Sequence, residues 1–195
     1  APDFSNITQG NTVGFSPVAD QQAWTYEIGT RGEQGPIAWD LSLYHAELDD
    51  ELLRFRETGA FSDSTFNADS TIHQGVELGI GLQLGESLLM NGDRLKMWNA
   101  YTYSNFYFDD DVNFDDNEIP GQPNHFYNAE LRYENKDNWF VTLNMLAASE
   151  ADTDFNNTSK VPGYAIIGTG DGFVVNKKDS MFFDGRSLLN EKYIS

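Results

Sequence analysis

Cysteine is absent from the chain, which excludes disulfide frameworks, thiolate zinc sites and cysteine nucleophiles. Basic residues are scarce: 12 Lys+Arg stand against 31 Asp+Glu, a formal net charge of −19. Binding to nucleic acid needs clustered Lys and Arg against phosphates, so no nucleic acid is expected as a partner. The same deficit argues against docking on an anionic membrane surface through basic residues. No run approaches the roughly 18 apolar residues that a spanning helix needs. Spanning strands remain open, because each needs only about 9–11 residues, half of them polar. The opening Ala1-Pro2-Asp3-Phe4 has neither the basic start nor the apolar core of a secretory signal.

What is present leans towards strands. Fourteen Phe, nine Tyr and four Trp accompany 17 Gly and only six Pro in 195 residues, enough for one domain with a sizeable core. The single helical candidate, Asp49–Arg56, is two turns long and marginal on its own; a strand continuing into a loop is the alternative. Period-two alternation is strong. In Ile72–Leu84 the even positions carry Val76, Leu78, Ile80 and Leu82, and the odd ones Glu77, Gly79, Gly81 and Gln83. Asn124–Glu134 sets Tyr127, Ala129 and Leu131 against Glu130 and Arg132, and Asn138–Ala148 sets Val141, Leu143 and Met145 against Thr142 and Asn144. Gln22–Arg31 alternates Trp24, Tyr26 and Ile28 with Glu27. Pro36–Leu48 alternates through Leu43 and slips phase at Tyr44, which marks a bulge or the point where the strand leaves its apolar surroundings. Arg94–Phe108, Tyr164–Val175 and Ser180–Leu189 are less clean strand candidates.

The connections alternate between short and long. Gly32–Gly35, Glu134–Asn138 and Asn176–Asp179 are turn-like, and Gly85–Asp93 is modest. Glu57–Thr71, Asp109–Asn124 and Ser149–Gly163 are long and polar. In an antiparallel meander this puts every long loop at one end of the sheet, the habit of outer-membrane barrels. A soluble acidic all-β ligand-binding module, a barrel or a sandwich, also alternates. Three features favour the membrane barrel. The strands are long; Glu27, Glu77, Glu130 and Arg132 sit deep in them on the polar face, as lumen-facing candidates; and Trp24, Trp39, Tyr44, Tyr101, Tyr103, Tyr107, Tyr127, Tyr133 and Trp139 sit near strand ends, as an interfacial girdle would. If the apolar face meets lipid, its leucines are exposed; in a soluble fold a second layer buries them.

Catalytic and metal constellations are thin. Oxygen side chains at Asp109, Asp111 and Asp115 are the weak calcium candidates, but Asp116 stands where an EF-hand needs glycine. The simpler reading of this acidic run is a solvated loop, with only adventitious calcium as a cofactor. His45, His73 and His125 are far apart and lack acidic neighbours at ligand spacing. The pair Asp49/Asp50 could imitate a glycosidase dyad, but nothing fixes its separation. No Gly-x-Ser-x-Gly elbow occurs, and the glycine-rich Gly168–Gly172 is neither GxGxxG nor a P-loop. No enzymatic activity is expected.

Several stretches resemble TonB-dependent outer-membrane receptors, in the C-terminal part of their barrel. Tyr26-Glu27-Ile28-Gly29-Thr30-Arg31-Gly32 resembles the family's strand-and-turn "YEIGxRG", and Ile72–Gly79 its "GxExG" strand. Leu41–Tyr44 through Asp50–Leu53 resembles a strand followed by an acidic-apolar step. Ile119-Pro120-Gly121-Gln122-Pro123 resembles the proline-bearing re-entry into a strand, and Gly185–Ile194 the "GRNLxDxxY" signature. The resemblance implies an all-β antiparallel meander of about nine long strands, a partial membrane barrel spanning residues 1–195. No plug domain is visible, and the family's last strand is expected to be missing. For the whole receptor it implies the Gram-negative outer membrane, contact with its lipid, and uptake of an iron chelate or other metal or cofactor complex. The TonB system would act only through the absent plug.

Overall fold

The computed structural model describes residues 19–55, 64–136, 139–174 and 179–188. Its strands are β1 (Gln22–Gln34), β2 (Ile37–Phe55), β3 (Ser64–Glu86), β4 (Arg94–Phe108), β5 (His125–Glu134), β6 (Trp139–Ala148), β7 (Ala151–Asp152), β8 (Lys160–Val161), β9 (Tyr164–Val174) and β10 (Ser180–Gly185). Eight of them form one sheet in the order β1-β2-β3-β4-β5-β6-β9-β10, every neighbour antiparallel; β7 and β8 pair separately. The sheet is not closed: the outer edges of β1 and β10 pair with nothing among the described residues.

The helical candidate at Asp49–Arg56 is strand instead, as far as Phe55. Two isolated turns cannot pay the nucleation cost of a helix, whereas pairing of Leu52 with Asn67 and Leu53 with Phe66 satisfies the backbone at once. Asp50 takes φ 56° in the middle of this pairing. Residues 64–71, expected in a loop, extend β3 to 23 residues for the same reason. The rest of that loop, residues 57–63, and Arg56 of the helical candidate lie outside the described residues. The phase slip at Tyr44 is not a bulge. Pairing runs unbroken through Tyr44↔Gly75, so His45 and Glu47 continue the face of Leu41 and Leu43 beyond its apolar band. Among the described residues the register between main strands shifts at Gln83/Gly85, beside the turn that follows.

Register carries the two faces across the whole sheet. Trp39, Ile80, Asn99, Ala129, Met145 and Ile167 form one cross-strand row. Asp40, Gly79, Ala100, Asn128, Leu146 and Ile166 form the adjacent row on the other side. Successive side chains alternate, so the apolar face is continuous from Ile28 to Met145. No second sheet or helix covers it among the described residues. Ile28 is 72 % exposed and Leu143 51 %, while Leu78, Ile80 and Leu131 are half-buried by neighbours on the same face. A soluble sandwich or barrel needs a layer there, and the described residues supply none.

The two ends of the sheet differ. At one, Gly35 at φ 58° and Pro36 close a tight hairpin. There too, the turn from Ser87 to Asp93 is held by the Asp93 carboxylate, which accepts N–H bonds from Leu88 (2.7 Å), Leu89 (2.8 Å) and Met90 (2.7 Å) and the Tyr133 hydroxyl (2.7 Å). Burial pushes this carboxyl up, but the Tyr133 hydroxyl and the three backbone donors outweigh it and hold it down at about 2. At the other end lie residues 109–124 and 149–163, packed against each other. Their common end agrees with the alternation of loop lengths.

Candidate functional site: the polar trough and its loop-bearing rim

The polar face is a trough of about 970 Å³ that crosses the sheet from β2 to β10. Its middle is lined by small residues, Gly79, Gly81, Ala100 and Gly168, with Asn128, Asn144 and Glu130 as polar groups and Trp98 as the large ring. Glu27, Glu77, Glu130 and Arg132 all lie on this face. They do not converge. Glu27 accepts a 2.7 Å bond from Ser42 Oγ. Arg132 lies over the Phe140 ring at 3.8 Å and pairs with Glu134 at 3.3 Å. Glu134 also receives Lys96 at 2.6 Å and Arg94 at 3.0 Å, so three cations share one carboxylate at the short-turn end.

Aromatic rings lie over glycines of adjacent strands. A Cβ at Gly75 would run into the Tyr103 carbonyl and the Tyr44 ring, and one at Gly172 into the Phe140 ring. Tyr44 therefore belongs to the trough and not to the girdle proposed for it: its hydroxyl reaches across Gly75 to Ser104 Oγ at 3.4 Å. The outward aromatics Trp24, Tyr101, Tyr103 and Tyr127 line the long-loop end, and Tyr133 and Trp139, 5.3 Å apart, the short-turn end.

The loop-bearing rim has its own small core, which the sequence reading did not find. Phe108, fully buried, meets Phe114 at 4.8 Å and Phe155 at 5.8 Å; Phe66 meets the same two rings at 5.6 and 5.4 Å. Burying one such ring is worth about 1.5–3 kcal/mol. These residues come from β3, β4 and two loops, so no local periodicity announces them. Around them Asn117 Nδ2 donates to the Phe155 carbonyl at 2.9 Å, and Gly121 N–H to that of Asp152 at 2.8 Å.

The calcium candidates are spread by this packing. Asp111 is buried, and its carboxylate accepts N–H bonds from Asn113 (2.8 Å), Phe114 (3.1 Å) and Asp69 (3.1 Å). Asp109 and Asp115 are exposed. The histidines are also dispersed: His45 beside Gln74 at 3.2 Å, His125 beside the Tyr101 hydroxyl at 2.8 Å, and His73 beside Glu51 at 3.1 Å and stacked on Phe106. Among the described residues no three His, Asp or Glu side chains come together as a metal set.

A second cavity, about 500 Å³, opens at the rim between residues 120–123 and 148–164. Asp152 lines it with a side chain only 3 % exposed. Lys160 sits beside it, 3.1 Å from Glu150 and 3.6 Å from Asp152. The hydrogen bond to Glu150, with the charges of Asp152, Glu150 and Glu118, raises the Lys160 ammonium above its ordinary pKa.

The fold is similar to long known barrels. It superposes on the copper transporter OprC with a TM-score of 0.79 at 16 % identity, covering 100 % of this chain and 30 % of that one. The ferric citrate transporter FecA gives 0.72 at 20 % identity, covering 88 % of this chain and 27 % of that one. The ferric yersiniabactin uptake receptor FyuA from Yersinia pestis gives 0.70 at 15 %, covering 92 % and 28 %. This chain thus spans under a third of the length of each. The family model described as "TonB dependent receptor-like, beta-barrel" matches residues 1–179. With an uncovered apolar face, a polar trough and loops gathered at one end, the chain belongs to that TonB-dependent receptor β-barrel family.

Proposed function

We propose that this chain is part of the wall of an outer-membrane receptor that takes up a metal chelate, with the rim of long loops on the extracellular side. Receptors of this family are transporters of the Gram-negative outer membrane, not enzymes. The observation that carries the reading is the uncovered face: exposed Ile28, Leu43, Val141 and Leu143 and half-buried Leu78, Ile80 and Leu131 form one apolar band that no other layer of the described residues covers, bordered by aromatic side chains at both ends. Lipid supplies the missing layer. The polar trough then lines the lumen, and Glu27, Glu77, Glu130 and Arg132 face water or a plug. The cargo is a copper or ferric complex, by analogy with the named transporters; energisation through TonB would run through a plug domain. The chain itself carries no catalysis.

Site-directed spin labelling tests this, and the absence of cysteine makes it clean. Outer membranes carrying Leu143→Cys or Glu130→Cys, each with a nitroxide, are exposed to oxygen and to an aqueous nickel complex. Oxygen should dominate relaxation at position 143 and nickel at position 130. The reverse order would remove the basis of the proposal.

A further inference from the structure

Asp152 lines the cavity at the rim. It is buried, and its Oδ1 has no hydrogen-bond partner among the described residues. A buried carboxylate oxygen without a donor is costly, because dehydration is not repaid. Its other oxygen faces Lys160 only at 3.6 Å, and that ammonium is closer to Glu150, at 3.1 Å. Three carboxylates, Glu118, Glu150 and Asp152, act on this one cation, so the neighbourhood keeps a negative surplus. The walls are of different character: Pro120, Pro123, Pro162, Val161 and Tyr164 offer apolar, conformationally stiff surface. The two loops that form the walls are tied by the Gly121–Asp152 backbone bond and by the phenylalanine core beneath. A cavity held open in this way costs little to organise on binding.

We propose that this rim cavity is a subsite for an organic cation, an ammonium group on an apolar body, held by the Asp152 carboxylate. For the receptor reading, on which this consequence rests, the cargo or its chelator then carries a protonated amine. An anionic chelate would meet repulsion at the rim. The resident Lys160 shows that an ammonium is already accepted at the edge of the same carboxylate.

Fluorine NMR on the full chain in detergent tests the cavity alone, with fluorobenzylammonium as probe and fluorobenzyl alcohol as its neutral counterpart. A charge-assisted bond makes the ammonium bind about tenfold or more tighter than the alcohol. Asp152→Asn should abolish that difference while keeping the side chain's shape. Lys160→Gln should widen it several-fold, since it removes the competing cation; this variant decides the matter if Asp152→Asn does not fold. Equal affinity of the two probes, binding of neither, a difference that survives Asp152→Asn, or a difference that shrinks in Lys160→Gln overturns the proposal. The spin-label experiment reads membrane faces and not this cavity, so either reading can fail while the other stands.

Discussion

Glu118 and Asn157 hold two long loops together through a reciprocal pair of hydrogen bonds. The Glu118 N–H donates to Asn157 Oδ1 at 2.7 Å, and Asn157 Nδ2 donates back to the Glu118 carbonyl at 2.9 Å. The side-chain amide thus satisfies a donor and an acceptor of the other loop's backbone, while Asn157 itself sits at φ 52°. Asparagine tolerates that conformation better than most residues. Asn157→Ala loses both bonds and the tolerance. The expected cost is about 1–3 kcal/mol of local stability. Hydrogen exchange at the Glu118 amide and at the Gly121 amide, which donates to the Asp152 carbonyl, should accelerate together, because the loops share one core.

The Asp93 turn gives a pH signature. Its carboxyl lies at about 2 in the folded chain against an ordinary 3.8. A lowered folded-state pKa means stability present above the unfolded value and lost as pH falls through the folded one. Thermal unfolding in detergent should therefore show this contribution intact at neutral pH and fading between about pH 4 and pH 2. Asp93→Asn should lower the unfolding temperature at pH 7 and flatten that acid limb. An unchanged acid limb in the variant would assign the loss to other carboxylates.

Facing is testable by charge. Leu143 and Asn144 are sequence neighbours on opposite faces of β6. In a phospholipid bilayer, Leu143→Arg should cost about 2–4 kcal/mol if it lies near the midplane, and less nearer an interface. Asn144→Arg, on the trough side, should cost far less. Equilibrium unfolding of both variants in the same vesicles measures the difference.

Two glycines on one strand should behave differently. Gly75→Ala drives a methyl into the Tyr103 carbonyl and the Tyr44 ring, and overpacking of this kind costs about 1–3 kcal/mol. At Gly79 the nearest atoms to an added Cβ are those of Asp40 at 3.8 Å, an ordinary contact. Gly79→Ala should be neutral to slightly stabilising by denaturant unfolding.

Faces were legible in the sequence and contacts were not. Alternation of Val76, Leu78, Ile80 and Leu82 with Glu77, Gly79 and Gly81 is a local property, fixed by the two-residue period of a strand. The same reasoning ordered the loops, since strand direction reverses at each connection. It failed where tertiary pairing overrides the local pattern. Leu52 and Leu53 look helical until Asn67 and Phe66 come alongside them. Tyr44 looked like a girdle residue because its position near a strand end says nothing about which side the ring covers. The Phe66, Phe108, Phe114 and Phe155 core joins residues far apart in the chain, and the pairing of Asp93 with Tyr133 spans 40 positions. Neither leaves a periodic trace. Asp152 lies within the polar stretch Ser149–Gly163, where nothing in its neighbours foretells burial.

Among the described residues the outer edges of β1 and β10 are unpaired, which makes this sheet a bifunctional unit in the sense of polymer chemistry. β1 is exposed along nearly its whole length, and it presents a row of amide donors and carbonyl acceptors along its free side, as β10 does along its own. Units with two complementary ends grow step by step, and their mean length rises with concentration. Expressed by itself at high concentration, the chain should form ribbons and not discrete dimers. An added strand that caps β1 would act as a chain stopper, shortening the ribbons in proportion to its mole fraction. In a closed barrel the two functions are consumed within one molecule, as in a cyclisation, and growth stops at a ring.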